Sequence, residues 1–186
     1  FMGWMSNWSY AQVVPTTTWR SAMTLPRELR LEKTGNELRM ASWPVKSLLP
    51  FFSGTIGSKG MGKSPYNLFS TSQPSVIPCR LNVSALKHSV SLRFVNDAGD
   101  VLLIGYDEKS NQYYIDRSKS GNTTFHADFP LRSFAPRFSL SDTVQLSVVV
   151  DKSSVELFGD NGLTVMTAIF FPSRPFTKAE LISDEP

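Results

Sequence analysis

Cysteine is almost absent from this chain of 186 residues: Cys79 stands alone. A lone cysteine has no partner for an internal disulfide and no neighbour for a metal site. A buried, inert thiol is the expectation. Histidine is nearly as scarce, with His88 and His126 as the two examples. Neither shows metal-ligand spacing or a nearby Ser or Cys to activate. No metal and no cofactor are therefore expected. Long apolar runs are missing too, since none approaches the roughly 18 residues of a membrane-crossing helix. Charge is not clustered: 19 basic and 16 acidic residues leave a net +3, dispersed along the chain. A nucleic-acid footprint needs a basic stripe, so neither nucleic acid nor membrane is an expected partner. Gly54, Gly57, Gly60 and Gly62 lack the strand-to-helix setting of a phosphate loop.

What remains suffices for a globular core. Hydrophobic residues make up 41% and charged residues 19%, which places the chain outside the disordered class. The opening Phe1-Met2-Gly3-Trp4 is apolar and uncapped, whereas natural termini are usually polar and frayed. It reads as a chain cut from something longer, and the opening residues carry no signal-peptide pattern.

The periodicity is that of strands. Val144 to Val150 alternates and then runs apolar, as a sandwich-core strand does. Asp151 to Ser154 is turn chemistry, and Val155 to Phe158 resumes the strand. Asn161-Gly162 is a hairpin signal before a further strand over Leu163 to Phe171. These three strands read as a meander. Ser89 to Val95 and Val101 to Tyr106 flank a Gly-containing loop at Asn96 to Asp100, and Gln112 to Arg117 is another strand. Turn signals recur every ~10 residues from Ser53 to Ile182, the mark of a sandwich or barrel. The front differs. It has two short strand-like pieces around Pro15 to Thr18, a polar turn over Arg30 to Glu37, and a short helical linker over Trp43 to Leu49 closed by Pro50. Gly54 to Pro65 reads as a mobile loop.

Cleavage of a glycosidic bond usually needs two flanking carboxyl groups. Asp97, Asp100, Asp107, Glu108, Asp116, Asp128, Asp151 and Glu156 are the candidates, and most sit in turns or on polar strand faces. Asp116 and Glu156 have apolar neighbours. For such a buried carboxylate, pairing with Arg or with backbone N–H groups is the ordinary role. Trp4, Trp8, Trp19 and Trp43 all lie in the front quarter, where an indole serves either as core or as a platform for a sugar face. Sequons for N-glycosylation stand at Asn7, Asn82 and Asn122.

The order of several blocks resembles glycoside hydrolase family 32, the invertases, inulinases and levanases. Gly3-Trp4-Met5-Ser6-Asn7-Trp8-Ser9-Tyr10-Ala11, Pro15-Thr16, Trp19-Arg20 and Ala22 to Leu29 look like the closing segment of that family's catalytic domain. Tyr114 to Gly121, Val150 to Phe158 and Thr167 to Pro172 resemble runs of its C-terminal module. The likeness covers nearly the whole chain and is weakest from Phe51 to Ser75.

The resemblance implies an all-β fold, with a C-terminal antiparallel β-sandwich preceded by strands from the last blade of a five-bladed β-propeller. It divides the chain into a blade remnant at 1–31, a linker at 32–52 and the sandwich at 53–186. It implies a parent that is a retaining β-fructosidase cleaving sucrose, inulin or levan outside the cell, in the periplasm or at the cell surface. The family's nucleophile, stabilising Asp and acid come from motifs that this chain lacks. The sandwich is thus expected to stabilise the propeller of the same protein without catalysing alone. Two alternatives stay open: a lectin-like module that binds fructan, and a homo-oligomerisation module using exposed blade strands. In the intact parent, Trp4 is expected to supply an apolar wall of the fructose pocket, with Asn7 and Trp8 orienting it. A fructan platform on the sandwich itself would need Tyr106, Tyr113 or Tyr114.

Overall fold

The structure is a computed structural model, and it describes residues 1–51, 64–69 and 77–183. Its front carries one bridge, between Trp4 and Met23. Two strands follow, β1 (Arg27–Thr34) and β2 (Glu37–Pro44), paired antiparallel from Arg27↔Pro44 to Thr34↔Glu37. The expected polar turn is therefore only the tip of a hairpin. Gly35, at φ 60, makes that tip, a backbone region open to glycine at no steric cost. The expected helical linker is a 3-10 turn over Lys46–Phe51. It starts later than expected because Trp43 and Pro44 belong to β2. Pro50 lies inside the turn instead of closing it. A fixed φ near −65° suits a helical turn even without an N–H to donate. Of the expected loop over 54–65, all but Ser64 and Pro65 lie outside the described residues.

The rest is a two-sheet sandwich. The strands are β3 (Tyr66–Asn67), β4 (Cys79–Leu86), β5 (Val90–Val95), β6 (Val101–Asp107), β7 (Gln112–Lys119) and β8 (Arg132–Pro136). They continue with β9 (Thr143–Val150), β10 (Ser154–Gly159), β11 (Thr164–Ile169) and β12 (Lys178–Ser183). One sheet has the order β11-β10-β9-β4 and the other β3-β12-β5-β6-β7-β8. The β9-β10-β11 meander and the β5-β6 hairpin stand where the sequence pattern puts them.

Alternation decides which side chains face inward. Leu81 pairs with Val148 across β4 and β9, and Leu92 pairs with Ile104 across β5 and β6. All four are buried in the one large core between the sheets. Each such side chain contributes about 1.5–3 kcal/mol of transfer free energy. Cys79 is part of this core, and burial pushes its thiol pKa up to about 12. Tyr106, Tyr113 and Tyr114 are buried as well. The Tyr106 and Tyr113 rings belong to the core and are not open to a sugar, while Tyr114, on the opposite face of the strand, is covered by the Arg132 guanidinium 3.8 Å from its ring centre.

The outer face of the four-stranded sheet is covered along β10. Glu156 and Phe158 project there, out of step with the core residues Val155 and Leu157. The segment from Leu25 to Trp43 lies over them. A second, smaller cluster sits at the edge of the sandwich. Met5, Tyr10 and Val14 from the front pack there on Phe129, Ile169 and Phe171.

Candidate functional site

Two buried arginines fasten the front segment to the sandwich. Arg27, at the start of β1, meets Glu156 on β10. Its Nε donates to Glu156 Oε2 at 3.2 Å, and its Nη2 pairs with the same oxygen. Nη2 also donates to Thr167 Oγ1 at 2.9 Å. The other carboxylate oxygen of Glu156 accepts the Leu25 N–H at 2.7 Å. The guanidinium lies 5.1 Å from the centre of the Phe158 ring. Both side chains are almost fully withdrawn from water, at 7% and 3% exposure. Glu156 thus has the structural role expected of a buried carboxylate, and all its contacts are spent on the front segment.

The second arginine is Arg117, from the far end of β7. Its Nε donates to the Phe129 carbonyl at 2.9 Å and Nη1 to the Ile169 carbonyl at 2.9 Å. Nη2 donates to the Tyr10 hydroxyl at 3.0 Å. The Phe129 ring centre lies 4.1 Å beneath the guanidinium. Each motif block thus reaches across the junction: Tyr10 to Arg117, and Arg27 to Glu156.

A third buried network shapes the turn between β10 and β11. Arg137 Nε and the Tyr113 hydroxyl each donate to Asp160 Oδ2 at 2.7 Å. Burial opposes the charge on Arg137, but the hydrogen bond and charge of Asp160 outweigh it and raise the arginine pKa. Burial and the neighbouring Asp160 push the Tyr113 pKa far up. Asp160, Asn161 and Gly162 all have positive φ. Gly162 is obligatory for packing, because a Cβ there would stand 2.2 Å from the Ser42 carbonyl oxygen of β2.

The candidate carboxylates are otherwise occupied. Asp97 pairs with Arg174, and Asp100 accepts from Ser173 and Asn96. Burial alone would raise Asp100, but those hydrogen bonds hold its pKa below the usual range. Asp107 holds Ser110, Asp116 holds Ser118, and Asp151 holds the Lys152 N–H. Glu108 faces His88 and Asp128 faces His126. Among the described residues no His, Cys, Asp or Glu cluster forms a metal site.

The structure brings Trp4 and Asn7 into one groove of about 470 Å³ between the front segment and the sandwich. Ser6 lines it too, and its buried Oγ has no partner among the described residues. Asp128, Ser133 and Thr167 form the sandwich side of the groove. Sequence reasoning named Asp128 only as a candidate carboxylate and missed Ser133 and Thr167, because no local signal tells that these residues share a groove with Trp4. Asn7 is exposed, and its Oδ1 accepts the Ser9 N–H at 2.8 Å while its carbonyl closes a turn with Tyr10 and Ala11. Trp8 is not part of the groove lining. It is 85% exposed and tilts against Trp4, with ring centres 5.0 Å apart.

Comparison with known proteins extends over both parts. Residues 56–185 match the family model described as Glycosyl hydrolases family 32 C terminal. Residues 1–44 match Glycosyl hydrolases family 32 N-terminal domain. The chain is 34% identical to a levanase of Bacillus subtilis over 189 residues, covering 97% of this chain and 28% of that protein. It is 34% identical to an extracellular exo-inulinase of Aspergillus niger over 191 residues, covering 98% and 35%. The crystal structure of exo-inulinase from Aspergillus awamori superimposes with a TM-score of 0.72 at 29% identity. That match covers 98% of this chain and 37% of the other. The chain therefore spans about a third of the length of the relatives it matches.

Proposed function

The chain belongs to glycoside hydrolase family 32, and from that premise we propose that it is the C-terminal module and closing blade segment of a retaining β-fructosidase. Its work is to brace the catalytic propeller of the same protein, and it is not catalytic alone. The observation that carries this reading is the pairing across the junction. Arg27–Glu156 and Tyr10–Arg117 join the front segment to the sandwich through buried contacts. A blade held this way shares the stability of the sandwich.

The hairpin supports the same reading. Leu31 and Met40 sit opposite each other, and Leu29 and Leu38 flank them. All four are exposed, Leu31 at 74%. A contiguous apolar face of this kind marks an interface, and the remainder of the propeller is the proposed occupant. A division drawn at residue 31 falls inside β1, so the proposed end of the catalytic part moves to Pro44. The linker and sandwich follow from there.

In the parent, Trp4 supplies an apolar wall for the fructosyl ring, Asn7 and Ser6 supply polar contacts, and Trp8 props Trp4. Hydrolysis itself needs a nucleophile and an acid flanking the glycosidic bond, and the propeller supplies them. Sucrose, inulin and levan are the proposed substrates, and an extracellular site of action fits the relative named as an extracellular exo-inulinase. The test is fructose release from sucrose, inulin and levan. The isolated chain gives none above the uncatalysed background. Turnover at enzyme-like rates by this chain alone would refute the proposal.

A further inference from the structure

Trp43 ends up where sequence order does not put it. It belongs to the front hairpin, yet its ring packs edge-on to Phe158 of the sandwich, centres 5.7 Å apart. Two grooves, of about 420 and 260 Å³, meet at Trp43 and Asn161. The smaller runs along the outer face of β4 and β9. Register explains its chemistry. Asn82 pairs with Ser147 and Ser84 with Gln145, while the alternate pairs Leu81–Val148 and Val83–Leu146 face the core side. The outward positions thus form a patch of amides and hydroxyls beside an indole.

The side chains of Asn82, Gln145 and Asn161 have no hydrogen-bond partner among the described residues, and all three line the smaller groove. A carboxamide offers two donors and an acceptor in one plane, which matches neighbouring hydroxyls of a sugar. An indole face suits the C–H side of a sugar ring. Among the described residues no acidic or basic side chain lines this smaller groove, so a neutral ligand fits it. The continuing groove is charged: Arg30 and Glu32 form an ion pair with each other at 3.5 Å, Asp160 is held by Arg137, and Lys33 also lines it. Together the two grooves form a trough whose shared wall is Trp43 and Asn161.

We infer that this trough is a second sugar site, separate from the Trp4 groove, which holds a stretch of neutral oligosaccharide across Trp43. That the oligosaccharide is a fructan rests on the proposed function. A site on the bracing module would keep a polymeric substrate attached between cleavages.

The experiment is calorimetric titration of the full chain with hexasaccharides of inulin type, levan type and maltohexaose. Side-chain amide resonances are followed in parallel on labelled protein. Saturable binding of a fructan hexasaccharide is expected, with shifts at Asn82, Gln145 and Asn161. Asn82→Ala and Gln145→Ala each weaken it about 2- to 13-fold, the worth of one hydrogen bond. Both positions are on the solvent side, so folding is retained and a circular dichroism melt checks it. Trp43→Ala abolishes measurable binding. No saturable binding by any of the three sugars overturns the site. So does binding left unchanged in the Asn82→Ala/Gln145→Ala double variant. Binding of maltohexaose alone, lost in the same variants, overturns the fructan assignment. The bracing function is judged separately, by the activity assay and the junction variants.

Discussion

Removing Glu156 should unfasten the blade segment from the sandwich. Glu156→Ala leaves the Arg27 guanidinium buried with one hydroxyl partner, Thr167, and leaves the Leu25 N–H without its acceptor. Breaking one partner of a buried pair costs about 3–5 kcal/mol, because the remaining charge is uncompensated. For a chain of this size that is roughly 6–20 °C in melting temperature. Glu156→Gln keeps the shape and an acceptor for Leu25 but loses the charge, and its cost is about 1–3 kcal/mol. Arg27→Met with Glu156→Leu removes both charges, and such replacements are often neutral or stabilising. Chemical denaturation gives the free energies, and with the single variants Arg27→Met and Glu156→Leu beside their double and the unaltered chain the coupling follows from the cycle. Hydrogen exchange at the Leu25 amide localises the effect, since that N–H is held at 2.7 Å in the native chain. If Glu156→Ala costs less than about 1 kcal/mol, as an exposed pair would, the pair is not a fastening and the bracing argument loses its main support.

Other outcomes follow from the same physics. Gly162→Ala, whose Cβ would meet the Ser42 carbonyl oxygen at 2.2 Å, should lift the β1–β2 hairpin and expose it to limited proteolysis before β9. Cys79 should resist thiol reagents at pH 8 unless the chain unfolds. Its folded pKa is raised to about 12 by burial, so the protonated thiol stabilises the fold fully below the unfolded value. That contribution is lost as pH rises, at about 1.4 kcal/mol per pH unit between roughly pH 9 and 12. Cys79→Ala should flatten that part of the stability curve. The exposed Leu29, Leu31, Leu38 and Met40 predict self-association of the isolated chain in light scattering, relieved by Leu31→Lys with Met40→Lys. A clean monomer at high concentration in the unaltered chain would count against this reading of the hairpin face.

The sandwich was legible because alternation is local. Val144 to Phe171 carries its period and turn residues in order, and the meander appears there. Strands β4, β8 and β12 were not separately legible. Arg132–Pro136 is an edge strand of five mostly exposed residues, so it has little apolar pattern to show. The hairpin of β1 and β2 was hidden for a similar reason, since its apolar residues face outward in this chain. Trp4 and Asn7 were legible as a motif, but the other side of their groove was not. Asp128 and Thr167 reach it only through packing of distant segments.

The motif blocks gain a physical meaning at this point. A run such as Val150 to Phe158 looks like a strand with an out-of-place charge, since Glu156 sits among buried neighbours. Burying a carboxylate without a partner is costly, so the residue makes sense only with Arg27 in place. Arg117 poses the same problem, and Tyr10 with two carbonyls is the answer. The sandwich therefore contains one polar group, Glu156, whose satisfaction depends wholly on the blade segment, and a second, Arg117, that depends on it for one of three hydrogen bonds. A sandwich expressed from residue 45 onward would leave Glu156 unpaired and Arg117 without its Tyr10 partner, in addition to baring Phe158 and Ile169. Its stability should fall by more than the Glu156→Ala variant's. Adding a peptide of residues 1–44 should restore part of the loss in a concentration-dependent melt, because a ligand that binds only the folded state raises its stability. Equal stability of the two forms would mean that the sandwich does not depend on the blade, and the brace would then act in one direction only.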